Sequence, residues 1–341
     1  MSVAGDVESG STASTSVTSA IARSSGSTPA LSVVVVSWNT RALLGACLTS
    51  LLGQAERGDS VEESPTRRFD VVVVDNASTD GTPEMVRELF PWVRLVENRE
   101  NVGFARANNQ AIRACDGEYV LLLNPDTEVR PGALAALTGF MESHPRAGGA
   151  GARLLNPDGT PQVSCWPAPL LGRELWRMLH LDAIHPYARY PESRWGSSEP
   201  VAVDVAQGAC LILRRRALDE VGLLDEDYFI YSEEVDLCDR LRARGWQIWW
   251  VPQAEVVHYG GQSTGQVAPS MFVHLYGSKV LYFRKRRGKL SARIYQGILL
   301  ITALARLLLT PLAYLEPAPR RQRHLALAGD YARLLRSLTC L

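Results

Sequence analysis

The stretch FDVVVVDNASTDGT, residues 69–82, decides the fold class. Its first half, FDVVVVD (69–75), is a continuous β-branched run without the apolar–polar alternation of a half-exposed strand. It therefore reads as a strand covered on both faces, as in a parallel sheet flanked by helices. The second half is built of turn and helix-cap residues, which carry the chain from the strand tip into a helix.

A sister run, LSVVVVSWN (31–39), precedes it, with a helical segment at about 40–52 between them. The alternation continues through helix 82–90, strand VRLVE (93–97), helix 104–115, strand EYVLLLN (118–124) and helix 131–143. Strands separated by helices in this way predict a doubly wound α/β domain with a mostly parallel sheet. In such a sheet ligands bind off the carboxyl ends of the strands, where Trp38, Asp75 and Asn124 to Asp126 fall.

The rhythm changes after residue 150. LLNPDGTPQ (154–162) reads as a turn joining two strands, and 161–200 reads as irregular, rich in Pro, Arg and Trp (Trp166, Trp176, Trp195). A long loop of this kind is more often functional than structural, and acceptor selection is expected there. An apolar run (203–215), an acidic helix opening at YSEEVDLCDRLRARGW (231–246), a strand WQIWWVP (246–252) and AEVVHYGGQST (254–264) follow.

A chain of 341 residues, 46% hydrophobic, has room for one large α/β domain with extensions. Net charge is zero, but no acid occurs between Glu255 and Glu316. Lys279, Arg284, Lys285, Arg286, Arg287, Lys289, Arg293 and Arg306 fall in that gap, so a cationic C-terminal module is attached to a net acidic body. These cations accompany a long apolar helix, not interleaved aromatics, which argues against nucleic acid. The six cysteines are scattered without a CxxC pair, which suits reduced, packing thiols. Residues 1–29 are rich in Ser, Thr, Gly and Ala, lack the pattern of a signal peptide, and are expected to be a disordered tail.

GILLITALARLLLTPLAYL (297–315) is nearly long enough to span a bilayer but carries Arg306 at its centre and Pro311 near its end. A central Arg costs about 2.5–3.5 kcal/mol on insertion scales. Thr302, Arg306 and Thr310 share one helical face. Behind FRKRRGK this predicts an amphipathic helix lying in the plane of the membrane. The alternative is a helix packed on the globular domain.

Several residues could carry chemistry, and each has a plain structural reading beside it. Asp75 at a strand tip is a turn residue or an acceptor for the N–H of a nucleobase. Asp126, after Pro125, is a turn residue or a hard oxygen ligand for magnesium or manganese. His258, alone, is structural; beside Asp126 it would complete a mixed site suited to manganese. In the acidic helix, Ser232 suits the N-cap, Glu233 and Glu234 suit the positive end of the dipole, and Asp236 pairs with Arg240 at i, i+4. No GxGxxG or Walker loop is present.

Four pieces occur in order: VVDNASTDGT, NVGFARANNQAI (101–112), LLLNPDTEV (121–129), and DYFIYSEEVDLCDRLRARGW followed by VVHYGG. This ordered set resembles glycosyltransferase family 2, in particular its rhamnosyltransferase-like branch, over residues 31–265. The resemblance implies a GT-A fold, a nucleotide-diphosphate-sugar donor, a divalent metal (Mg or Mn) and an inverting transfer. It implies a base-reading role for Asp75 and donor contacts from Trp38, Asn39, Asn76, Ser78, Asn101, Gly103, Asn108, Asn124 and Asp126. Asp126 matches the last acid of the metal-binding DxD, whose first position here is Asn124, and His258 matches a second metal contact. The catalytic base of the family's acidic pair falls on Glu234, with Glu233 and Asp236 as competitors.

The expected architecture is thus a tail (1–29), a GT-A domain (30–265) and a basic, apolar-helical extension (266–341). The expected activity is sugar transfer, deoxythymidine-diphosphate-rhamnose before a uridine-diphosphate sugar, onto a lipid-linked glycan at the cytoplasmic face of the membrane. A non-catalytic sugar- or nucleotide-binding protein on the same fold is the alternative.

Overall fold

The computed structural model describes residues 30–56, 69–191, 196–261, 268–315 and 317–338. The tail expected at 1–29, Trp195 and the 265/266 boundary lie outside them. The first half runs β1 (Leu31–Ser37), α1 (Arg41–Glu56), β2 (Phe69–Asp75), α2 (Thr82–Leu89), β3 (Arg94–Glu97), α3 (Phe104–Ala114), β4 (Tyr119–Leu123), β5 (Thr127–Val129) and α4 (Ala133–Ser143). The strands and helices expected there all form, within two residues of the sequence boundaries except for α1, which runs four residues past its expected end.

The second half runs β6 (Ala147–Leu155), β7 (Pro161–Gln162), β8 (Cys165–Trp166), α5 (Leu171–Met178), β9 (Val201–Val203), β10 (Val205–Ala206), β11 (Cys210–Arg214), α6 (Arg215–Val221), α7 (Glu233–Ala243) and β12 (Gln247–His258). Three long helices follow: α8 (Ala268–Arg287), α9 (Lys289–Leu309), prolonged by a 3-10 segment (Thr310–Leu315), and α10 (Ala318–Ser337).

The main sheet has the order β3-β2-β1-β4-β11-β6-β12-β5. β1, β2, β3 and β4 are parallel, and β11 enters antiparallel between β4 and β6. Burial explains the unbroken valine runs. Val33 and Val35 point into a core with Leu44 and Leu48 of α1 and Leu137 of α4, whereas Val34 and Val36 meet Ala107 and Ile112 of α3 and Leu237 of α7. Each such side chain contributes about 1.5–3 kcal/mol of burial, and each face needs its own.

Three expectations change. The segment 161–200 is not wholly irregular: it contains α5, whose Met178 joins a third core with Tyr282, Phe283, Tyr295 and Leu299 of the C-terminal helices. WQIWWVP and AEVVH form one strand, β12, with an irregularity between Val251 and Glu255. The cationic stretch is turned substantially inward. Lys279 binds Glu174 at 2.7 Å, Lys285 binds Asp225 and Asp227 at 2.6 and 2.5 Å, Arg286 binds Asp236 and Arg287 binds Asp239 at 3.2 Å. The gap in acids along the sequence is answered by acids of the body across space.

Candidate active site

A cavity of about 320 Å³ opens off the carboxyl ends of the strands. Of the residues singled out from sequence, Trp38, Asn76, Asn101, Gly103, Asn124, Asp126, Glu233, Glu234 and His258 line it. Asn39, Asp75, Ser78, Asn108 and Asp236 do not.

One wall is made by β4, β5 and β12. The turn after β4 carries Asn124 and Asp126 into β5, and β5 pairs antiparallel with β12 so that His258 lies opposite Thr127. The backbone N–H of Tyr259 donates to the Asp126 carbonyl at 2.9 Å. This register sets His258 Nε2 at 3.4 Å from Asp126 Oδ1 and 3.4 Å from Asn124 Nδ2, with both Asp126 and His258 about 5% exposed. Among the described residues no three His, Cys, Asp or Glu side chains converge, so Asp126 and His258 meet here as a pair. A carboxylate oxygen and an imidazole nitrogen at this separation fit adjacent positions around an ion with bonds of about 2.1 Å.

The opposite wall is the start of α7. Tyr231 and Ser232 both take left-handed backbone angles, φ 68° each, an unfavourable conformation for non-glycine residues costing about 1–3 kcal/mol apiece. Ser232 makes no side-chain cap, contrary to the sequence reading; its carbonyl accepts from Asp236 N–H instead. The sharp turn delivers Glu233 and Glu234 to the cavity, each with an Oε2 that is buried and has no hydrogen-bond partner among the described residues. Burial raises the pKa of both; Glu233 lies well above the usual carboxylate range, the Glu234 charge adding to its burial. Two desolvated carboxyls side by side resist double ionisation, so the pair gives up its protons in separate steps.

Asp236, the third candidate base, is fully buried and held by Arg240 at 2.8 Å, by Arg286 and by the Tyr228 hydroxyl at 3.4 Å. Its role is to fasten α7 to α8. Asn108 is likewise internal, donating to the Phe104 carbonyl at 2.9 Å. Asn76 is saturated: its amide donates to Asn101 Oδ1 at 2.8 Å and accepts from Val102 N–H and Asn98 Nδ2 at 3.0 Å. Gly103 (φ 87°) could not carry a Cβ, which would fall 2.7 Å from the Phe229 ring and carbonyl. The NVGFARANN motif is therefore largely a latch between α3 and the loop before α7.

Asp75 lies behind Asn76, 2% exposed. Its Oδ2 accepts from Ser78 N–H at 2.9 Å, while Oδ1 is buried and has no partner among the described residues. Burial raises its pKa against the lowering by Ser78. Asn39 and Ser78 tie this loop together, Asn39 N–H to Ser78 Oγ at 2.9 Å and Thr79 N–H to Asn39 Oδ1 at 2.8 Å.

Sequence reasoning missed the wall contributed by Phe229, Tyr231 and Met271. Met271 comes from α8, assigned beforehand to the membrane extension alone. It also missed Gln162, whose Oε1 lies 2.7 Å from His258 Nδ1 and whose only visible signal was a turn motif.

Residues 32–222 match the family model Glycosyl transferase family 2. The chain is 33% identical over 278 residues to an N-acetylglucosaminyl-diphospho-decaprenol L-rhamnosyltransferase of Mycobacterium tuberculosis, covering 76% of this chain and 85% of that one. It is 30% identical to the O-antigen biosynthesis protein RfbC of Myxococcus xanthus over 69% of this chain and 18% of that protein. Among solved structures, a mannosyltransferase from Pyrobaculum calidifontis in complex with GDP-Man and Mn2+ superposes with a TM-score of 0.53 at 21% identity, covering 91% of this chain and 88% of that one. The last likeness concerns the fold, a mixed, mostly parallel GT-A sheet with flanking helices.

Proposed function

Since the chain belongs to glycosyl transferase family 2, we propose that it moves L-rhamnose from a nucleoside-diphosphate donor, deoxythymidine-diphosphate-rhamnose first, onto a lipid-linked N-acetylglucosaminyl diphosphate, with inversion. One observation carries the reading: a carboxylate–imidazole pair (Asp126, His258) and a buried carboxyl pair (Glu233, Glu234) line one cavity from separate walls. A non-catalytic binder has no need of two adjacent carboxyls that each keep one buried oxygen without a partner among the described residues, which costs stability.

In the proposed reaction Glu234 accepts the proton of the acceptor hydroxyl as that oxygen forms its bond to the anomeric carbon. The bond from that carbon to the diphosphate breaks, and its electron pair leaves with the diphosphate. Asp75 Oδ1 accepts from the nucleobase ring N–H. Asp126 and His258 would hold a divalent ion, manganese or magnesium, whose chemistry there is neutralisation of charge on the leaving group.

We place the division of the chain at 1–29, 30–265 and 266–341, with the last part lying on the cytoplasmic face of the membrane. Support comes from the orientation of α9. Thr302 faces Met178, and Arg306 reaches His180, so the polar stripe packs on the body. Leu290, Ile294, Ile301, Leu304 and Leu308 point outward at spacings of four, seven, three and four, with Ile301 70% and Leu308 80% exposed. Exposed Leu300, Leu309 and Leu312 broaden this face well beyond a coiled-coil seam, which favours lipid over a second copy. Lys289, Arg293 and Arg320, all exposed, flank it and suit anionic headgroups, whereas Lys285 to Arg287 are engaged in ion pairs with acids of the body.

The test is a donor screen on the full chain with manganese or magnesium, following nucleoside-diphosphate release with and without a lipid-linked N-acetylglucosamine acceptor. Acceptor-dependent release from deoxythymidine-diphosphate-rhamnose is expected. Donor binding without release, whatever the acceptor, would support the binder.

A further inference from the structure

We propose that Gln162 is a positioning residue that fixes the tautomer of His258, an inference that rests on the reading of Asp126 and His258 as metal ligands. The hairpin between β6 and β7 sets Gln162 opposite Leu154, and β6 runs beside β12 with Leu155 opposite Val257. Two sheet registers therefore bring Gln162 alongside His258.

The amide of Gln162 can be oriented in only one way. Its Nε2 donates to the His258 backbone carbonyl at 3.3 Å and to Asn156 Oδ1 at 3.0 Å. A carbonyl cannot donate, so nitrogen must face it and Oε1 must face the imidazole, 2.7 Å from Nδ1. An amide oxygen only accepts, so Nδ1 carries the hydrogen and, in the neutral ring, Nε2 is left with a bare lone pair. That lone pair lies on the side of Asp126 Oδ1.

The other tautomer would be self-defeating, because an Nε2–H would donate to the Asp126 carboxylate and the two ligands would close on each other. Gln162 removes that option. Its own support is the turn NPDGT: Asn156 Nδ2 donates to Thr160 Oγ1 at 2.9 Å, and Thr160 N–H and Oγ1 donate to Asp158 Oδ1 at 2.9 and 2.6 Å. A motif that reads as a simple hairpin turn is thus the frame for the imidazole.

The experiment uses full-length protein with 15N-labelled histidine. Long-range 1H–15N spectra of the metal-free protein report the tautomer, the His258 signal being assigned by its loss in His258→Ala. Manganese binding in the presence of deoxythymidine diphosphate is read by electron paramagnetic resonance. Wild type should give the Nδ1–H form. Gln162→Met, nearly isosteric but without the acceptor, should give the Nε2–H form and bind manganese about 10–100-fold more weakly. An unchanged tautomer in Gln162→Met would overturn the proposal, with or without a loss of affinity. Unchanged manganese affinity in His258→Ala would instead sink the metal-site reading on which it rests.

Discussion

His258 meets Asp126 because the last residue of β12 pairs opposite the first residue of β5, so a backbone register, not a local motif, assembles the pair. Either residue alone is an ordinary buried polar group. Asp126→Ala should abolish transfer, since loss of charge neutralisation at the leaving group is worth several kcal/mol, about 10²-fold or more in rate. Steady-state nucleoside-diphosphate release measures it.

Glu234→Gln retains shape and removes the proposed proton acceptor. Turnover should fall about 10²–10⁴-fold while donor affinity holds. Stopped turnover with unchanged donor binding by calorimetry is the expected pattern. Near-normal turnover would move the base to Glu233, since Asp236 is held by Arg240 and Arg286.

Glu233 makes a stability prediction with a definite sign. Its folded pKa is raised by burial, so between the unfolded value and the folded one the native state holds a proton that the unfolded chain has lost. Stability therefore falls as pH rises from about 4.3 toward the folded pKa. Glu233→Gln should remove that dependence and raise the melting temperature at neutral pH, while the difference from wild type vanishes near pH 4. Thermal melts across pH 4–8 test this.

Asp75→Ala deletes the buried oxygen left unpartnered behind Asn76. Donor affinity should weaken by about 1–3 kcal/mol, roughly 5–150-fold, with smaller change in turnover at saturating donor. Equal binding of the nucleoside diphosphate to wild type and variant would remove the base-reading role.

For the proposed membrane face, Ile301→Asp together with Leu308→Asp should abolish flotation with anionic vesicles while leaving transfer to a water-soluble acceptor analogue within about twofold, because both side chains are exposed and away from the cavity. Retained flotation would turn attention to a protein partner.

The parts legible from sequence were those decided by local chemistry. Unbroken valine runs specify strands covered on both faces, and acids at strand tips or helix starts point to the mouth of the sheet. What could not be read was long-range pairing. Nothing local announces that β11 inserts antiparallel between β4 and β6, or that β7 lies against β6 so that Gln162 reaches His258. Cation counting failed for the same reason: Lys279 and Lys285 to Arg287 have no acid nearby in sequence, yet each finds one across space. Asp236 was a plausible base until Arg286 was seen to bind it.

The left-handed turn at Tyr231 and Ser232 is pinned from outside the catalytic body: Ser278 Oγ of α8 donates to the Ile230 carbonyl at 2.7 Å, and His274 stacks on Phe229. The enzyme is consequently not a portable cassette with an interchangeable anchor. Swapping in the tail of another transferase, or trimming the chain after the histidine of β12, would release the turn that aims Glu233 and Glu234, so any hybrid has to cut beyond α8.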